Sequence, residues 1–560
     1  MKRTLKFYFY EPPPHTTNTM PPPLHTRGGG TIPGTTAFYY ARRARTRATR
    51  APLRFNVPTK VGIPDAPRKE SERSTRLDIL GPLIRTHHPV VADSSRANLF
   101  AAFDKRCNHF SDARVDPELI AASHKLALRL LPEPLDPLVY DMDLFEDWNS
   151  QFDGPKQKRH KIAYEKLSSI TQSDFSDKQI FVKVEALLKR HDPNWAPRII
   201  YQSSDLHNVL LGPVMWKCTK RLFSYLEWDS KESQVNYMGA YAKDSPSLVE
   251  RINRFGTSDS VYVESDFTSN DMTQVRDVHL LEVFWLQRLG APAWLTALMM
   301  IANSFKASSR THRVSARITN QLPTGAQSTT FRNSMWNCTI NYAFCQRVKA
   351  TGDVLILGDD MLMRYDNPIS SRVKNIRREY EHVCKLACMK AKVFVRKHLS
   401  ECTFLSKQFI MTDNERQYVM IPLLGKAVAR FNVRASANDA VSDEAYLAGK
   451  ALSYAYEFRF APTISRLFYY RYQQLVPPEG VSLDALGWNA KGAFLRRGTD
   501  GVIAAIENAT NPASADDLTR FYHWKYELCH QEVVELLLAM IFGEDDLDEE
   551  GIGYICSDFL

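Results

Sequence analysis

No apolar run in this 560-residue chain approaches the ~20 residues that a membrane-spanning helix needs. Near the C-terminus the strongest is Leu536 to Phe542, LLLAMIF. The opening MKRTLKFYFYEPPP lacks the long apolar core of a secretory signal. Cysteine is sparse: nine residues, an odd number, are scattered along the chain. That excludes a disulfide framework and fits a reducing compartment. Cys384 and Cys388, with His382 nearby, read either as a metal clip or as thiols on a helix. No second pair at zinc-site spacing supports the clip. A repeat period is also missing.

Excess charge is missing from most of the chain as well. The formal net charge is +9, but residues 1 to 60 hold eleven Lys and Arg against one acid, Glu11, which leaves −1 for everything after residue 60. A basic surface in the body must therefore be local and balanced by acids elsewhere. Residues 1 to 60 also carry two Pro triplets, a Gly triplet and ARRARTRATR. Such a composition cannot bury enough apolar surface to offset ordering, so the segment reads as a disordered basic arm. It suits RNA phosphates, plain solvation, or a mitochondrial presequence. The far end holds six acids between Glu544 and Glu550 and reads as a solvated acidic tail over residues 544 to 560.

What is present is an ordinary folded composition, 44% hydrophobic and 24% charged. Helical patterns such as PELIAASHKLALRLL (Pro117 to Leu131) mix irregularly with short strand-like runs, which predicts α+β packing rather than βαβ alternation. In VLILGDDMLMRYD, Asp359 and Asp360 stand side by side between apolar flanks. Two adjacent carboxylates repel, so they mark either a plain surface hairpin or a turn with a divalent cation at its tip. Upstream, SVYVESDFTSNDMTQ supplies a second strand that ends in an acid, Asp266, with Asp271 five residues on. Pairing of the two strands would bring carboxylates to one point, the donor set of two-metal phosphoryl chemistry. Between them, in LPTGAQSTTFRNSMWNCTINYAF, Thr324 and Gly325 predict a flexible turn and Thr329 to Tyr342 a helix. Thr329 and Asn333 fall four apart and share a helical face. They read as a cap and a buried polar group, or as a face that holds a sugar hydroxyl beside Asp271.

D-x4-D, [S/T]-G-x3-T-x3-N and G-D-D, in this order, resemble motifs A, B and C of viral RNA-dependent RNA polymerases. FDGPKQKRHKIAY (Phe152 to Tyr164) and FVKVEALLKRHDPNWAPRII (Phe181 to Ile200) resemble the basic fingers region of the tombusvirus-like and nodavirus-like group. CMKAKVFV resembles motif D, and CTFLSKQF motif E. The resemblance spans roughly residues 150 to 410. Thr324 stands where serine is frequent in the family, and Leu357 precedes the GDD where many relatives carry a polar residue.

The resemblance implies a right-hand polymerase with an antiparallel palm sheet flanked by helices. The arm would be followed by an N-terminal extension (61 to 150), fingers (151 to 255), motif A palm (256 to 275), a fingers insertion (276 to 322), motifs B to E of the palm (323 to 410) and a thumb (411 to 543). Asp266 and Asp359, assisted by Asp360, would bind two Mg²⁺, with Mn²⁺ as substitute. Asp271, Thr329 and Asn333 would recognise the nucleotide ribose. Lys183, Lys189, Arg190 and Arg198 would meet the triphosphate, and Thr324, Gly325 and Gly358 would form hinges beside the template. Lys392, with Lys390 as its competitor, would protonate the leaving pyrophosphate. The implied partners are an RNA template and product, NTPs, and a membrane-associated replication complex reached through other proteins. The implied location is the host cytoplasm. Reverse transcription and non-enzymatic RNA or coat binding are the rival readings.

Overall fold

The computed structural model describes residues 38–39, 45–46, 54–62, 77–84, 87–188, 195–227, 235–255, 260–366, 373–413, 417–435, 441–478, 480–543 and 549–558. The chain folds as mixed α+β. Its larger sheets are built first from β1 (Thr59–Val61), β2 (Asp177–Val182), β3 (Ile199–Gln202), β4 (Val235–Gly239), β5 (Val261–Phe267), β6 (Ser304–Ser309) and β7 (Val314–Thr319). There follow β8 (Gly352–Leu357), β9 (Asp360–Tyr365), β10 (Ala391–Arg396), β11 (Thr403–Phe404), β12 (Lys407–Met411) and β13 (Tyr418–Pro422).

The central sheet has the order β10-β5-β9-β8-β4. Four of its strands pair antiparallel, but β4 runs parallel to β8, so the sheet is mixed rather than wholly antiparallel. Side-chain alternation sorts its residues between two cores. Val263, Val354, Ile356, Met361 and Met363 face the largest core, while Tyr262, Leu355, Leu362 and Met238 face a second one shared with β11 to β13. Burying each such aliphatic side chain contributes ~1.5–3 kcal/mol, so a one-residue register slip would be costly.

Four helices position the site: α1 (Arg96–Arg106), α2 (Pro117–Leu130), α3 (Arg276–Arg288) and α4 (Thr329–Val348). The helix α4 starts at Thr329 and runs six residues past Tyr342. Every residue from Phe331 to Cys345 is buried, with α2 and α3 packed in the same core. A helix buried all round is normally apolar; this one carries Asn333, Ser334, Asn337, Thr339 and Asn341 inside.

A second sheet, β1-β7-β6-β2-β3, joins strands from widely separated parts of the sequence and packs with α1. Its first strand belongs to the segment expected to be an unstructured arm. Phe38–Tyr39 pairs with Leu83–Ile84, Arg45–Thr46 with Val91–Ala92, and β1 with β7. Backbone pairing needs no apolar side chains, so a basic composition does not prevent it. Apart from residues 54–58, the rest of the arm lies outside the described residues.

The boundary expected at residue 410/411 falls inside the hairpin of β12 and β13. Beyond it a helical core gathers α5 (Leu424–Phe431), α6 (Asp443–Glu457), α7 (Pro462–Leu475) and α8 (His530–Phe542). The expected solvated tail differs too. Residues 544–548 lie outside the described residues, but α9 (Glu549–Cys556) buries Ile552, Ile555 and Cys556 in that core. Asp558 then accepts from Gly425 N at 2.7 Å and from the Tyr526 hydroxyl at 2.8 Å. The acid count hid the apolar residues interleaved with it.

Candidate active site

The strand β5 forms because Val261, Tyr262 and Val263 fit a pleated, half-buried surface, and it ends at Asp266 and Phe267. β8 and β9 form a hairpin whose loop is Gly358 and Asp359. Gly358 has φ +65°, and a Cβ there would meet nothing, so conformation rather than space demands glycine. In the β5·β9 register Glu264 pairs with Leu362, so Asp266 falls opposite Asp360 two residues further along. On the other side of β5, Asp266 pairs with Lys392 of β10. Lys390, the competing lysine, lies just before β10, where its carbonyl accepts from Thr268 N at 2.8 Å.

Asp359 and Asp360 project from the hairpin tip while the flanking Val354 to Ile356 and Met361 to Met363 stay buried. The carboxylates themselves are exposed, not sunk between their apolar neighbours. The surrounding protein still crowds them, and each feels neighbouring acids. That desolvation, followed by the charges of Asp359 and Asp266, pushes the Asp360 carboxyl up to about 6. Asp359 is raised for the same first reason, with Asp271 and Asp266 adding to it and Arg198 opposing. Among the described residues, no three His, Cys, Asp or Glu side chains stand close enough to hold a metal ion by themselves. Hard carboxylate oxygens with raised pKa values nevertheless fit Mg²⁺, which takes one or two protein carboxylates and completes its shell with water and substrate phosphates.

The buried polar residues of α4 hold the hairpin. Ser334 Oγ accepts from Gly358 N at 2.8 Å and donates to Thr330 O at 2.7 Å. Asn337 Nδ2 donates to the carbonyls of Gly358 and Asp359 at 3.3 and 3.2 Å. Asn341 Nδ2 donates to Asn337 O at 2.8 Å, and the Tyr380 hydroxyl to Asn341 Oδ1 at 3.1 Å. Sequence reasoning missed Ser334, Asn337 and Asn341, though Asn333, Asn337 and Asn341 recur every four residues in the sequence.

Asp271 receives one side chain from the segment that leads into α4 and one from α4 itself. Thr324 Oγ1 donates to Asp271 Oδ2 at 2.6 Å, and Asn333 Nδ2 to Oδ1 at 3.3 Å. Gln274 Nε2, also missed, donates to Asn333 Oδ1 at 2.9 Å and fixes the amide. Thr324, expected only as a hinge residue, therefore touches Asp271 directly. Thr329 does not: its hydroxyl is buried without a hydrogen-bond partner among the described residues. Gly325 follows Thr324 with φ +89°, a turn that only glycine adopts without strain. Next to Asn333, Arg332 donates to Glu282 at 2.8 Å and lies 2.8 Å from His279 Nδ1, all three buried. Burial alone would raise Glu282, but Arg332 and His279 outweigh it and hold the carboxyl below its usual range.

The basic group sits at the ends of β2 and β3. Arg198 grips Glu185 with two nitrogens, Nε at 2.8 Å and Nη2 at 2.5 Å, and Lys183 Nζ lies 3.2 Å from the same carboxylate. The expected phosphate clamps are thus already paired with an internal acid that sequence reasoning passed over. Asp359 also acts on Arg198, so the basic and acidic groups share one site. Lys189 and Arg190 lie outside the described residues.

Residues 72–482 of the chain match the family of RNA dependent RNA polymerases, a span that includes every residue of this site. The chain belongs to that family, the polymerases of positive-strand RNA viruses. It is an RNA-directed RNA polymerase, a nucleotidyltransferase, with RNA template and NTPs as its substrates. No curated protein matches the polymerase over its sequence. Among its described residues no helix is long and apolar enough to cross a membrane.

Proposed function

We propose that the polymerase extends an RNA 3′ end by two-metal phosphoryl transfer at the hairpin of Asp359 and Asp360. The observation that carries this reading is the pair of adjacent carboxylates at the tip of a turn, both raised by desolvation and by the charge of Asp266, with Arg198 close enough to act on Asp359. Asp266 and Asp359, with Asp360 assisting, would hold the two Mg²⁺, or Mn²⁺ in their place. Bound there, the ions supply a lowered pKa at the RNA 3′-hydroxyl and neutralise the triphosphate and leaving pyrophosphate.

The chain's own residues do the rest. Ser334 and Asn337 fix the hairpin so that its carboxylates need no reorganisation. Asp271, aligned by Thr324 and Asn333, accepts the ribose 2′-hydroxyl and so distinguishes RNA from DNA precursors. Lys183 and Arg198 receive the triphosphate, and Lys392, level with Asp266, supplies a proton to the pyrophosphate. A right-hand arrangement follows: the central sheet as palm, the second sheet as fingers and the C-terminal helical core as thumb. In its favour, β6 and β7, from the expected fingers insertion, share a sheet with β2 and β3. The basic N-terminal segment would add RNA phosphate contacts. Replication would take place in the host cytoplasm, at membranes reached through partner proteins. Incorporation of labelled NTPs on a defined RNA template by purified protein, with and without Mg²⁺, tests the reading. Metal-independent incorporation, or equal use of dNTPs, would reject it.

A further inference from the structure

Arg106 is the last residue of α1, far from every motif that points to the polymerase, yet the fold delivers it to the site. The next residue, Cys107, places Sγ 2.6 Å from the Tyr201 hydroxyl on β3. Gln321 Nε2 donates to the carbonyls of Cys107 and His109 at 2.8 and 2.7 Å. Tyr201 N in turn donates to Thr324 O at 3.4 Å, and Thr324 holds Asp271. The end of α1 is therefore stapled to both the strand that carries Arg198 and the loop that carries Thr324. The charges of Arg198, Asp271 and Glu185 all act on the Arg106 guanidinium. Three residues on, His109 feels the charge of Lys390, so this segment reaches from the basic group toward the start of β10.

Arg106 Nε is buried and has no hydrogen-bond partner, and Arg106 makes no ion pair among the described residues. Arg332 and Arg364 also have an unpaired buried nitrogen, but each is tied through another to an acid, Arg332 to Glu282 and Arg364 to Asp353. A buried donor left open costs free energy unless an acceptor arrives. Arg198 and Lys183 already have such an acceptor in Glu185; Arg106 does not. We propose that Arg106 is a substrate-binding residue of this polymerase, donating to the triphosphate of the incoming nucleotide beside Arg198. The proposal rests on the assignment of this site to nucleotide addition. A planar guanidinium matches phosphate oxygens with two parallel hydrogen bonds, which lysine cannot reproduce.

The test uses the full chain on a primed RNA template, with two readouts. Arg106→Gln should raise KM for NTPs by ~10-fold or more, the worth of a hydrogen bond to a charged group. It should raise KM for inorganic pyrophosphate in the reverse reaction by a similar factor, because pyrophosphate probes the phosphate subsite without base or ribose. Template affinity should stay within about twofold, and the melting temperature should not fall. Arg106→Lys should lie between wild type and Arg106→Gln, and it decides the matter if Arg106→Gln fails to fold. Unchanged KM for both NTP and pyrophosphate overturns the proposal, as does a loss confined to template affinity, which would assign Arg106 to the RNA backbone. A wild-type protein without metal-dependent NTP incorporation would instead overturn the site assignment itself.

Discussion

The acidic and basic groups of the candidate active site face one another but are prepared in opposite ways. Asp359 and Asp360 are crowded by protein and by neighbouring acids, and among the described residues no lysine or arginine forms an ion pair with them. Lys183 and Arg198 are held by Glu185, an acid of their own strand region. The acids are thus left seeking a cation, whereas the bases are set in position before any phosphate arrives. This difference would suit the proposed reaction: the divalent cation would be supplied from outside, while the anion needs a cradle of fixed geometry.

The largest expected effect breaks the acidic side. Asp359→Asn should reduce nucleotide addition by ~100-fold or more, since even one contact made in the transition state is commonly worth that much. The same change removes a like charge from Asp360, so the metal-free protein should melt at an equal or higher temperature. Activity above about a tenth of wild type would remove Asp359 from the metal ligands.

A smaller but more selective effect is expected where Asp271 meets Thr324 and Asn333. Asp271→Ala or Asn333→Ala should narrow the preference for NTP over dNTP by ~10-fold or more, because a site built around a hydroxyl rejects analogues that leave its polar groups unpaired. Measuring kcat/KM for matched NTP and dNTP pairs checks this; an unchanged ratio in both variants would reduce the trio to a structural cap.

These partners show how far sequence could be read. β5, the hairpin and α4 were legible because each has its own local pattern: strand formers before Asp266, a glycine turn, and a helical face starting at Thr329. The link of Asp271 to Asn333 was legible as well, since it joins two recognisable motifs. Thr324 was read only as a hinge because its neighbour Gly325 explained the turn without it. Glu185 sat unnoticed in a basic run, where one acid looks like dilution rather than a clamp. Arg106 lies in α1, and nothing local announces that it feels a charge 165 residues away at Asp271; only tertiary packing brings the two near. The pairing of β1 with β7 was hidden for a similar reason, as composition describes side chains and the pairing is made by backbone.

Acid should sharpen the contrast between the two groups. With the Asp360 carboxyl near 6 in the folded protein and 3.8 as its ordinary value, the folded state binds more protons than the unfolded state between those limits. Metal-free stability should therefore fall as pH rises from about 4 through about 6, and saturating Mg²⁺ should flatten the slope. Activity at limiting Mg²⁺ should fall as pH drops below about 6, because protons and cation compete for the same oxygens, and added Mg²⁺ should move that midpoint to lower pH. A midpoint that ignores Mg²⁺ would separate Asp360 from the metal site.

The smallest effect tests the basic side. Arg198 is half exposed, at 51%, and Glu185 is more sheltered, at 19%, so solvent screens much of their attraction. Ion pairs of this exposure are typically worth ~0.2–1 kcal/mol, or about 1.4- to 5-fold in an equilibrium constant. Glu185→Gln keeps the size of the side chain and removes its charge, leaving Arg198 and Lys183 to sample other directions. If Glu185 serves mainly to aim them, KM for NTPs should rise by about two- to fivefold with kcat little changed, and the difference should shrink as salt is added. If instead Glu185 competes with the incoming triphosphate, KM should fall. The sign of the change therefore separates a cradle from a competitor, and a lower KM in Glu185→Gln would refute the view that the basic group is set in place before its substrate binds.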